Sequence, residues 1–268
     1  MRRLPRLRPS APDPSVKRFA QRERALVAAM PGERTDALLA VGSVAWVADQ
    51  PARAVETLEE VVASVRADAD PLTLGRAHRH LGRAFWLLDR WGEAADSSRR
   101  AVDVLTDTRE TEELAIATAW LANFLALGGH APEAAEVALE AIEAARAVGN
   151  DEALASATIS LGLARGLAGD PRGLDRIGEG RELALQQALY HQQIRGYVNA
   201  LVVAVNHRNH DAADILFPAG RALFEERLHL GPLDDVTQSY ARCECAGTPS
   251  GVVIRVVPVL FVRDSVST

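Results

Sequence analysis

The chain has 268 residues with 36 Asp and Glu against 30 Lys and Arg, and its formal charge of −6 leaves no broad basic surface of the kind a nucleic-acid-binding domain presents. Hydrophobic residues make up 48% and aromatics 5%, so the apolar content is mostly Ala, Leu and Val, a composition that favours helices. Two cysteines, Cys243 and Cys245, are too few and too close for a disulfide framework, and no stretch has the length of a membrane span. The reading is a cytoplasmic, membrane-free protein.

Residues 1–34 form a basic leader and a partial repeat helix. Arg2, Arg3, Arg6, Arg8, Lys17, Arg18, Arg22, Arg24 and Arg34 stand there against Asp13, Glu23 and Glu33. Lys17 is the single lysine, so the Arg content reflects general residue usage as much as local function. Asp13-Pro14-Ser15 opens a helix that runs to about Met30.

From residue 35 to 232 the sequence repeats every forty residues. Val41-Gly42, Leu81-Gly82, Leu121-Ala122, Leu161-Gly162 and Leu201-Val202 pair a large aliphatic residue with a following one that is small in four of the five. Each unit is predicted to be an antiparallel helical hairpin. The five hairpins fall at about 34–48 with 51–67, 74–89 with 91–105, 109–128 with 132–148, 151–167 with 171–188, and 190–207 with 211–228. Pro51, Pro132 and Pro171 each open a second helix, where a missing N–H costs nothing. Gly128-Gly129, Gly149-Asn150 and Gly231-Pro232 follow helices, as chain-reversing glycines do. Gly82 and Ala94 are expected where the two helices of one hairpin cross, since small residues allow axes to approach to about 8 Å.

Residues 233–245 read as the first helix of a truncated sixth repeat, so the array begins and ends within a repeat. Residues 246–268 form an irregular or β-prone tail whose run Val252 to Val262 is unlike anything before it.

The unit from Gly75 to Thr108 resembles a tetratricopeptide repeat through Leu81-Gly82, Phe85, Trp91, Ala94 and Ala101. His78 and Thr106 depart from that pattern. The resemblance implies an all-α, right-handed TPR-like superhelical solenoid of antiparallel helix pairs with a period of about 40 residues. The longer period and alanine-rich composition resemble the helical region of bacterial regulators of the MalT or LuxR-type ATPase class, in which an ATPase domain precedes the repeats and a DNA-binding segment follows. Residues matching the family's groove positions are Trp46, Arg76, Arg79, Arg83, Trp86, Asn123, Asn199 and Asn206. Arg79, Arg83 and Trp86 share a helical face, where two guanidiniums and an indole suit an acidic or carboxylate-bearing peptide. The competing account pairs the arginines with neighbouring acids and uses Trp86 to fill the joint between units.

No phosphate-cradling loop, nucleophile elbow or metal-ligand spacing is present, and His207 with His210 reads as a surface turn. The expectation is no catalytic residue, metal or cofactor. Its function is expected to be non-catalytic protein–protein interaction, as the sensor segment of a bacterial transcription regulator that binds a protein, a peptide or its own flanking domains. A free-standing adaptor in a multiprotein assembly is the alternative, and an enzyme with an unrecognised site the third reading.

Overall fold

A computed structural model describes residues 20–25, 28, 33–45, 50–66, 68–109 and 111–228, with side chains up to residue 223. Trp46, the sixth-repeat helix at 233–245, the 246–268 tail and most of the leader lie outside the described residues. The described chain holds ten helices in five hairpins: α1 (Arg34–Ala45) with α2 (Pro51–Ser64), α3 (Pro71–Leu87) with α4 (Trp91–Leu105), α5 (Thr111–Leu127) with α6 (Ala131–Val148), α7 (Asp151–Leu167) with α8 (Gly173–Gln186), and α9 (Tyr190–Asn206) with α10 (His210–Leu228). The first helices pack side by side and the second helices follow them, which makes a solenoid in which each unit chiefly touches its neighbours. A helical turn over residues 20–25 precedes the first hairpin, and its Glu23 takes a two-pronged hydrogen bond from Arg53 of α2, at 2.8 and 3.3 Å.

One backbone device closes the second to fifth hairpins. The N–H groups of Arg90, His130, Asp170 and Asn209 donate to the carbonyls five residues earlier, on Phe85, Leu125, Arg165 and Ala204, at 2.8–2.9 Å. That bond requires a left-handed residue just before it, and the chain supplies Asp89, Gly129, Gly169 and Arg208 there. The joints between units use the same closure at Asn150 and Leu189, after Gly149 and Ala188. Only three of these six positions are glycine, so a reading that looks for glycine finds half of them.

The hairpin crossings need small residues, as expected. A Cβ on Gly82 would sit 2.6 Å from Ser98 Oγ and 3.1 Å from Ala94 O, so Gly82 and Ala94 do meet where α3 crosses α4. Around these crossings Val41, Leu81, Leu121 and Leu161 are buried together with Ala54, Ala94 and Ala134.

Three expectations need correction. The fifth unit is one residue out of phase, because α3, α5 and α7 begin forty residues apart but α9 begins thirty-nine after α7. Ala200 rather than Leu201 therefore takes the buried place of Leu161, and Leu201 is half-buried. Second, α3 starts at Pro71, not at Leu74: Asp70 caps it, accepting from Thr73 N–H at 2.9 Å, and Pro71 fills the first position. Third, Pro171 does not open α8. Asp170 Oδ1 accepts from Arg172 N–H at 2.9 Å, which holds Pro171 and Arg172 in a turn and delays the helix to Gly173.

Candidate functional site

Four first helices, α3, α5, α7 and α9, contribute polar side chains, most of them buried, to a layer built across the units. Its first part is an ion-pair cluster. Glu113, in the first turn of α5, is buried with its side chain 7% exposed, and it accepts from Arg76 Nε at 3.1 Å and from Arg79 Nε. Both arginines come from α3, so one carboxylate ties two cations across adjacent units. Arg76 keeps 46% of its side chain exposed, whereas Arg79 is largely covered.

The second part is centred on Trp120 of α5, which is buried against Phe124 at 5.7 Å between ring centroids. The Arg83 guanidinium from α3 lies 4.0 Å from the Trp120 ring centroid and that of Arg195 from α9 lies 4.8 Å from it. Burial pushes the Arg83 guanidinium well below its usual range, and the charges of Arg79 and Arg195 act in the same direction against Glu152 and Glu113. Burial likewise lowers Arg195, with Glu152 opposing.

Polar side chains from three units surround Arg195. Its Nη1 donates to Asn123 Oδ1 at 2.9 Å and to Ser160 Oγ at 3.2 Å; its Nη2 donates to Ser156 O at 2.8 Å and Ser156 Oγ at 2.9 Å; its Nε donates to Gln192 Oε1 at 3.0 Å. Asn199 Nδ2 donates to the same Asn123 oxygen at 2.9 Å. Ser160 Oγ donates in turn to Ala119 O on α5, at 3.1 Å.

The groove residues read from the sequence therefore separate into groups. Arg76 and Arg79 meet on Glu113, and Asn123 and Asn199 meet beside Arg195, with Arg83 next to them on Trp120. Trp86 packs edge-on to Trp91 at 6.2 Å and tilted to Phe124 at 6.5 Å, and so fills the joint between α3, α4 and α5. Asn206 is exposed at the end of α9, apart from both clusters. Sequence reasoning missed Glu113, Trp120, Ser156, Ser160 and Arg195. Arg195 lies four residues before Asn199 and Trp120 three before Asn123, so helical neighbours of the two selected asparagines carried the signal. Among the described residues no group of three or more His, Cys, Asp or Glu could hold a metal ion, and no helix is long and apolar enough to cross a membrane.

No protein-family model and no curated protein matches the chain. Solved structures do. The chain is similar to a Rap protein complexed with competence and sporulation factor, at 12% identity and a TM-score of 0.58, covering 79% of this chain and 64% of that one. It is similar to a single-residue variant of a putative kinesin light chain of Podosopora anserina with nearly identical TPR-like repeats, at 16% identity and a TM-score of 0.51, covering 75% of this chain and all of that one. Similarity to BtubC of P. vanneervenii reaches a TM-score of 0.50 at 16% identity, over 81% of this chain and 91% of that one. These likenesses show the fold, a TPR-like helical solenoid.

Proposed function

We propose that the chain is a non-catalytic interaction scaffold that takes up an acidic protein or peptide segment along the face of α3, α5, α7 and α9. The observation that carries this reading is a local reversal of charge. Arg76, Arg79, Arg83 and Arg195 lie at or just beneath this face against Glu113 and Glu152, in a protein whose net charge is −6, and of the four only Arg76 keeps about half its side chain in water. A cationic face on an anionic body steers an acidic segment toward one place and repels it elsewhere. The half-exposed Arg76 is the group best placed to make first contact, and guanidinium geometry suits a carboxylate. The fold shared with the Rap protein, solved with a factor bound, supports recognition as the role of such a solenoid.

Selection of phage-displayed peptides on the full chain, followed by fluorescence anisotropy, tests this. Peptides rich in Asp and Glu are expected, with affinity lost about tenfold or more in Arg76→Glu and falling steeply as salt is raised. Selected peptides without acidic bias, or an Arg76→Glu protein that binds as well as the parent, would refute the reading.

The forty-residue period kept from α3 to α7 supports a setting as the sensor or interaction segment of a bacterial transcription regulator of the MalT or LuxR-type class. A free-standing adaptor is the second setting. The intact mass of the native polypeptide separates them: a species of 28.8 kDa fits the adaptor and a much larger one fits the regulator.

A further inference from the structure

Arg195 ties together units that are otherwise in contact mainly with their neighbours. It rises from α9 in the fifth unit, reaches Ser156 and Ser160 on α7 in the fourth, and ends on Asn123 of α5 in the third, 72 residues away in sequence. It is 8% exposed, so this reach is made inside the protein. All the acceptors of its hydrogen bonds are neutral: one side-chain amide on α5, a carbonyl and two hydroxyls on α7, and the amide of Gln192 on its own helix. The nearby carboxylate of Glu152 is bonded instead to Gln192 Nε2, at 3.4 Å. Neutral acceptors hold a guanidinium less firmly than a carboxylate does, because they add no opposite charge to the bond.

The same closure brings two like charges together. Arg83 and Arg195 rest on one indole, that of Trp120, and the charge of Arg195 disfavours that of Arg83. Stacking on the indole favours both cations, while their mutual repulsion in a poorly solvated place opposes it. A separation of α9 from α5 would break the neutral bonds of Arg195, relieve the repulsion and return the guanidinium to water. Opposing effects, bonding and repulsion, therefore meet at one side chain.

We propose that Arg195 is a latch that sets how tightly the third, fourth and fifth units wind on one another, held by neutral bonds to Asn123, Ser156 and Ser160 against the repulsion of Arg83. In a solenoid the curvature of the inner face follows from small rotations between successive units, so a side chain that spans three units controls the shape of that face. The latch belongs to the winding of the chain and requires no partner, which separates it from the interaction reading above.

Two substitutions in the full chain test it, read by hydrogen exchange with mass spectrometry and by small-angle X-ray scattering. Asn123→Asp places a carboxylate where Arg195 Nη1 already donates, and it keeps the oxygen that Asn199 uses. It is expected to slow amide exchange in α5 and α9 by about tenfold, with α1 and α2 unchanged. Arg195→Met keeps the bulk and removes charge and donors; exchange in α5 and α9 is expected to rise about tenfold and the radius of gyration to increase. Faster exchange in Asn123→Asp overturns the latch, as does an Arg195→Met protein with the exchange and radius of the parent. Should Arg195→Met not fold, the Asn123→Asp result decides alone.

Discussion

Replacing Gly162 by alanine puts the close crossing of α7 and α8 to a quantitative test. A Cβ there would lie 2.6 Å from Ile177 N, 2.7 Å from Gly173 O and 2.7 Å from Ile177 Cγ1. Ordinary nonbonded contact needs about 3.5 Å, and two of the three atoms are main chain, so the helices themselves must separate. Overpacking of this kind costs about 3 kcal/mol, at the upper end of the usual range because no rotamer change relieves it. Exchanging a helical glycine for alanine returns about 1 kcal/mol, leaving a net loss of about 2 kcal/mol. For an array of this size that loss is a melting temperature lower by roughly 4–8 °C. Gly178→Ala is the control, since a Cβ there meets nothing within 4 Å, and it should raise the midpoint by a few degrees. Gly82→Ala should fall between them, because its nearest contact at 2.6 Å is the hydroxyl of Ser98, a side chain that can turn away. Thermal denaturation followed by the helical circular dichroism signal gives the order. A Gly162→Ala protein as stable as the Gly178→Ala control would refute the packing argument.

Ala188 holds a left-handed conformation at φ 53°, so Ala188→Gly should stabilise the joint between the fourth and fifth units by about 0.5–1 kcal/mol, seen as a higher urea midpoint. Glu113→Ala strands the largely covered Arg79 and should cost about 3 kcal/mol, while Arg76→Ala, with half its side chain in water, should cost under about 1 kcal/mol; equal losses in urea titrations would contradict this. Burial, with a smaller contribution from Arg100, holds the His78 imidazole down to about 4. Its stabilising effect is whole above pH 6.5 and is lost as pH falls from there toward 4, because the unfolded chain takes up the proton first. Urea unfolding at about pH 7 and about pH 5 should differ by roughly 1–2 kcal/mol more in the parent than in His78→Gln.

Much of the fold can be read from local sequence. The forty-residue return of a large aliphatic residue followed by a small one marks the crossings, because a helix pair can approach closely only where side chains are small, and Gly82 against Ala94 shows that geometry directly. The left-handed turn residues are half hidden, since Asp89, Ala188 and Arg208 serve where glycine does elsewhere, held by hydrogen bonds between backbone groups that every residue possesses. The one-residue slip in the fifth unit shows only in part, since the hairpins read at 151 and 190 already stand thirty-nine residues apart. Leu201 keeps the forty-residue phase in sequence, and only the packing of α9 on α7 shows that Ala200 is the residue turned inward.

The polar face divides along the same line. Arg79, Arg83, Asn123 and Asn199 can be named from the sequence because the tetratricopeptide resemblance assigns each a place within a single unit. Glu113, Trp120 and Arg195 acquire their roles from contacts between units, and no spacing along the chain records that Arg195 reaches back to Asn123. Local sequence suffices for the repeat, its hairpins and the helix faces of the first four units, because these depend on residues a few positions apart. Which cations share Glu113, which share Trp120, and which arginine binds three units together are settled only when the units pack. Those choices depend on the rotation of one unit on the next, a sum of many small packing effects that no single residue encodes.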